Sequence, residues 1–121
     1  MQVKDNKLRK LIKEELGPLL NEKGFYYSEP RSAPGLFVYA IEIDMDNKKF
    51  DSIEIWTEKW DPAIRVSLHS HIRGGLKGLD FLHNNKRKEW SIASEDEAKE
   101  SLREIRQLIE EHAWDWFYIS Q

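Results

Sequence analysis

The sequence predicts an α+β domain, an antiparallel sheet of four or five strands flanked by an N-terminal and a C-terminal helix. Two observations carry that prediction. Residues 36–72 alternate apolar and polar side chains over three runs, the pattern of strands covered on one side and open on the other. On either side, residues 5–23 and 94–116 place their apolar residues at helical spacing instead. Helices set apart from an antiparallel run of strands define the class.

In the first helix Leu8, Leu11, Ile12, Leu16, Leu19 and Leu20 form the apolar stripe, with lysines and glutamates on the other side. Asp5 or Asn6 suits the N-cap, and Gly24 suits the left-handed position past the end. Gly17-Pro18 interrupts the stripe. Proline has no N–H to give the carbonyl of Glu14 and clashes with it, so a kink or break is expected there. Residues 25–28 read as a short strand, and residues 29–35, with two prolines and a glycine, as a connection.

The three central runs divide by parity. Phe37, Tyr39, Ile41, Ile43 and Met45 share one face of the first, with Leu36, Val38, Ala40, Glu42 and Asp44 on the other. In the second, Ile53, Ile55 and Thr57 oppose Ser52, Glu54, Trp56, Glu58 and Trp60. In the third, Ile64, Val66, Leu68 and Ile72 oppose Arg65, Ser67, His69 and His71. Asp46-Asn47-Lys48 supplies the first turn and Asp61-Pro62 the second. A two-residue loop at Asp61-Pro62 would set Trp60 against Ala63, Glu58 against Arg65, Trp56 against Ser67 and Glu54 against His69.

Residues 73–80, with Gly74, Gly75 and Gly78, read as a flexible loop. Residues 81–92 have two readings, a turn at Asn84-Asn85 and an edge strand over 88–92. Ser94 opens the last helix and makes a capping box with Glu97; Ala98, Leu102, Ile105, Ile109, Ala113 and Trp116 mark its buried stripe.

A chain of 121 residues suits one domain, here 1–121. Its formal net charge of -3 gives no electrostatic reason to expect nucleic acid or an anionic membrane as partner. The absence of cysteine removes disulfides, thiolate metal sites and cysteine nucleophiles. With neither a signal peptide nor a bilayer-length apolar run, the expected location is cytoplasmic.

The opening LRKLIKEELGPLLNEKGF, the strand-rich middle and the closing EDEAKESLREIRQLIEEHAWDWF resemble small bacterial α+β proteins grouped as domains of unknown function. Some members of such families are similar to immunity proteins, which bind and neutralise a toxin. The resemblance implies a binding role and carries no catalytic motif, so it assigns no residue.

Among chemistries, His69-Ser70-His71 puts two imidazoles on one side of a strand, with Glu54 as a third ligand and Asp80 or His83 as a fourth. Zinc asks for three or four ligands in tight geometry, so no metal and no cofactor is expected there. The glycine loop lacks the Gly-Lys-Ser/Thr ending of a phosphate-binding loop. Lys86-Arg87-Lys88 beside Trp90 is a short basic run in an acidic chain and reads as a solvated turn. Glu42, Asp44, Glu54 and Glu58 alternate on exposed strand positions, with no sign of the apolar cleft that acid–base work needs. Ser67 and Ser70 lack a nucleophile elbow.

The tryptophans, five in all, have two readings: helices cover the sheet and bury them all as core, or part of the sheet face is open and they carry the function. Trp56 and Trp60 fall among Glu54, Glu58, Arg65, His69 and His71, and aromatics rimmed by charge are the makings of a protein-binding hot spot. These seven residues form the candidate site of a non-enzymatic binding module whose partner is a protein or a second copy of the chain. That module acts either as an immunity-type inhibitor of a toxin or by self-association. The alternative is a metal-dependent enzyme or small-ligand binder built on His69, His71 and Glu54.

Overall fold

The computed structural model describes residues 3–73 and 76–118. In chain order it contains α1 (Asp5–Glu15), α2 (Gly17–Glu22), β1 (Tyr26–Tyr27), β2 (Leu36–Asp44), β3 (Lys49–Thr57), β4 (Ala63–His69), β5 (Leu76–Gly78), α3 (Leu79–Asn84), β6 (Trp90–Ser91) and α4 (Glu95–Leu108). A π-helical turn, Ile109–Ala113, then leads into α5 (Trp114–Tyr118). The strands form one antiparallel sheet in the order β1-β2-β3-β4-β5, and β6 also pairs with β4. The α+β class holds, with six strands among the described residues.

The aliphatic parity set builds the core. Phe37, Tyr39, Ile53, Ile55, Ile64, Val66 and Leu68 are all buried, and α1 and α4, packed on each other, contribute Leu8, Leu11, Ile12, Leu102 and Ile105. Each such side chain contributes about 1.5–3 kcal/mol relative to exposure. Ile43, Met45 and Ile72 leave the set: the register of β2 shifts between Glu42 and Asp44, β4 ends at His69 before reaching Ile72, and all three side chains end up exposed. A bulge bends a strand away from its layer, which parity alone does not register.

The helix break falls at Leu16, between α1 and α2, with Pro18 in the first turn of α2, where its missing N–H has no helical partner to lose. Gly24 follows with φ of 90°. The N-cap differs from expectation. Lys4 occupies it without a side-chain bond, while Asp5 Oδ2 accepts from the Gly35 N–H at 2.8 Å and ties α1 to the 29–35 connection.

The β3–β4 connection is also different. The pairs are Trp56 with Arg65, Glu54 with Ser67 and Ser52 with His69, two residues away from the expected register. Glu58 N–H donates to Ala63 O at 2.8 Å, so residues 58–62 form the loop and Trp60 lies on it, outside the strand. A shift of two conserves parity, so the faces are unchanged.

Residues 76–84 are not a loop. Leu76–Gly78 pairs with Ser67–His69 as β5, and Leu79 enters the core at the start of α3. Gly74 and Gly75 lie outside the described residues. Both readings of 81–92 hold in part: α3 ends at Asn85 in a left-handed turn, φ 52°, and Trp90–Ser91 is a strand. At the last helix Ser94 Oγ accepts from the Glu97 N–H at 3.2 Å. The π turn adds a residue to the helical spacing, so that Phe117, not Trp116, completes the buried stripe.

Candidate functional site

The face of the sheet away from the helices carries four of the seven candidate residues, Glu54, Trp56, Arg65 and His69. All four are half-buried although α1 and α4 pack on the opposite face, because long side chains, and Asp80 at the start of α3, lie across them. The Arg65 guanidinium stands 5.5 Å from the Trp56 ring, donates to Asp80 Oδ2 at 3.0 Å and lies 3.9 Å from Glu58 Oε1. Glu58 is also 3.6 Å from Arg87. Asp80, only 2% exposed, accepts further from the Lys88 and Phe81 N–H groups. Arg65 is therefore engaged by Asp80 within the chain, while Glu58 Oε1 is buried between Arg65 and Arg87 at ion-pair distance and accepts no hydrogen bond there.

His69 stacks on Phe50, centroids 4.6 Å apart and planes 20° apart. The Arg31 guanidinium sits 3.6 Å from the same ring and bonds both oxygens of Glu42, at 2.9 and 3.1 Å. Ser52 Oγ donates to Glu54 Oε2 at 3.0 Å. Between these groups lies an open hollow of about 350 Å³ lined by Pro30, Arg31, Leu36, Val38, Phe50 and Glu54.

His71 belongs elsewhere. β4 ends at His69; Ser70, fully buried, accepts from the Ile72 and Arg73 N–H groups and turns the chain. His71 then reaches Asp51 Oδ1 twice, through its N–H at 2.8 Å and through Nδ1 at 2.7 Å. Asp51 is 4% exposed, and its charge, after burial, helps raise the Tyr118 phenol. The His-x-His alternation fails because the strand ends at His69, two residues short of His71. Glu54, His69 and His71 are thus held by three different partners, and among the described residues no group of three or more His, Asp or Glu is placed to hold a metal ion.

Trp60 is 84% exposed on the β3–β4 loop, with Lys59 Nζ 4.9 Å from its ring. The loop is tied down at both ends: Glu58 N–H donates to Ala63 O at 2.8 Å at its start, and Ile92 N–H donates to Pro62 O at 2.8 Å at its end. The remaining tryptophans divide, Trp90 being buried and Trp114 and Trp116 half-buried against the core.

Phe50, Arg31, Glu42 and Asp80 complete the face without having been singled out together. Phe50 was legible, since the even parity of Ser52, Glu54 and Trp56 extends back to it. Arg31 and Asp80 meet their partners across 11 and 15 residues of chain, and no local signal pairs them.

Residues 36–119 match the family model described as Domain of unknown function (DUF4304). Neither a curated protein nor a solved structure matches the chain.

Proposed function

Because the chain belongs to the DUF4304 family, whose function is unknown, we propose its role from its surface: it is a non-enzymatic module that binds a protein with a basic groove. The observation that carries this reading is Trp60, 84% exposed on a loop that hydrogen bonds hold in place. Burying an aromatic of this size against a partner removes about 150–250 Å² from water. A loop already ordered loses little entropy on association, so more of that gain remains as affinity. Trp56 and the hollow beside Phe50 extend the contact across the sheet.

Charge selects the kind of partner. The sheet face's cations Arg31, Arg65 and Arg87 already stand in ion pairs and Lys59 of the loop lies over the Trp60 ring, whereas Glu54 and Asp61 stand in no ion pair among the described residues. With a net charge of -3, the chain draws a basic surface, and an acidic rim speeds that encounter at low salt. A nucleic-acid-cleaving toxin presents such a surface, which is how the immunity-type reading fits, and such a module works in the cytoplasm beside the toxin it blocks.

A photoreactive phenylalanine analogue at position 60, compared with one at exposed Glu100, reads the contact in cells. The expected result is an adduct, from position 60 alone, with one basic protein that also binds when purified. Trp60→Ala should then weaken that binding by about 2 kcal/mol or more, roughly thirtyfold. Equal labelling from both positions, or an affinity indifferent to both Trp60→Ala and Trp56→Ala, overturns the reading. An adduct with a second copy of the chain replaces the basic partner with self-association.

A further inference from the structure

His83 and His112 lie 29 residues apart in sequence and meet in the fold, away from the open face. His83 is on α3, which Leu79 anchors in the core and Asp80 anchors to Arg65. His112 is in the π turn, where Ile109 and Ala113 face the core and leave the imidazole half-buried toward α3. Nδ1 of His83 and Nε2 of His112 are 3.2 Å apart, and the ring centroids 5.2 Å apart.

Those two distances have a common reading. An ion bound tetrahedrally by two imidazoles at about 2.0–2.1 Å sets the nitrogens about 3.3 Å and the ring centres about 5.2 Å apart. Two ring nitrogens this close repel through their lone pairs unless one donates an N–H to the other or a cation lies between them. Glu111 Oε2, 3.6 Å from His112 Nε2, places a carboxylate beside the pair, and Asp115 lines the adjoining hollow of about 230 Å³ with Arg73, Leu82, His112 and Trp116. A π turn is a distortion that recurs at functional sites, and here it carries both His112 and Glu111.

We propose that His83 and His112 form a two-nitrogen site for a transition-metal ion of the Zn²⁺, Ni²⁺ or Cu²⁺ type, for which imidazole is a suited ligand. Two protein nitrogens leave the other positions to water, so the ion exchanges readily. When bound, it clamps α3 to the C-terminal helix.

The test is calorimetric titration of the purified chain with Ni²⁺ and Zn²⁺ in a non-chelating buffer near neutral pH, with Cu²⁺ spectroscopy to count coordinated nitrogens. The expected result is one ion per chain, a two-nitrogen Cu²⁺ signature, and affinity lowered at least about tenfold in both His83→Ala and His112→Ala. The metal should also raise the thermal midpoint of the parent chain and of neither variant, and His112→Gln supplies a second replacement where alanine disturbs the turn. Saturation absent below millimolar metal, or binding that survives both substitutions or is lost instead in His71→Ala, overturns the proposal and leaves a shared proton as the whole content of the pair.

Discussion

The two faces of the sheet are buried by different means. Under the helices, Ile53, Ile55, Ile64 and Leu68 reach zero exposure by touching other apolar side chains from α1 and α4. On the open face, Ser52, Ser67 and Val38 are nearly as buried, yet their cover is a single layer of Phe50, His69, Trp56 and Arg65 held by stacking and ion pairs. The difference teaches that burial does not by itself mark a core. One face gains stability from non-directional contact, the other from a few directional pairs, each of which fails when one partner is removed.

The largest effect expected is on the open face. Asp80→Ala strips Arg65 of its closest anion and the Lys88 and Phe81 N–H groups of their acceptor, and losing one partner of a buried pair costs about 3–5 kcal/mol. Chemical denaturation measures it. A loss under 1 kcal/mol would mean that the layer is ornament and that the helix side alone holds the sheet. On the other face, Leu68→Ala, with no exposure in the parent, should cost about 2–5 kcal/mol. A loss of half a kcal/mol, that of an ordinary surface change, would reverse the assignment of faces.

A pH experiment sharpens the contrast from the core side. Burial, and then the neighbouring Tyr27, push the Tyr39 phenol up to about 12. The unfolded phenol ionises near 10, so the folded state keeps its proton longer. The stability it contributes is full below about pH 10 and is lost as pH rises toward 12, by roughly 2–3 kcal/mol in all. Tyr39→Phe should flatten that alkaline decline relative to the parent; an unchanged slope would show that the phenol is not the group responsible.

The parity that separates the faces was legible, because a shift of two in register leaves it intact. So were the Pro18 break and the Ser94 cap, which rest on one or two adjacent residues. What was hidden depends on partners far along the chain. Asp5 abandons its cap for Gly35, His71 leaves its strand for Asp51, and α3 forms around Leu79 and Asp80 inside what composition marks as a glycine loop. The site was half legible for the same reason: its residue types and face could be read, but the ion pairs that occupy Arg65 and Glu58 could not.

The smallest expected effect separates stability from recognition. Trp60→Ala should leave folding within about 0.5 kcal/mol of the parent, since the ring touches water over most of its area. A larger loss in thermal or chemical unfolding would make Trp60 part of the loop's own structure and weaken its claim as a contact residue.

The margins of the sheet bear on how a partner can approach. The outer margin of β4 is shared end to end by β5, on residues 67–69, and β6, on residues 63–64. Opposite, β1 pairs with two residues of β2, Ser28 N–H donates to Val38 O, and Ser32 Oγ accepts from the Val38 N–H. The stretch of β2 beyond is bulged and carries Glu42 and Asp44. Interrupted, kinked and charged margins offer no template along which a foreign strand can zip, and the same devices keep sheet proteins from polymerising edge to edge. Among the described residues strand addition is thereby disfavoured at both edges of the sheet, so the partner proposed above would have to meet side chains, on the open face and at the loop tip, and not a strand edge.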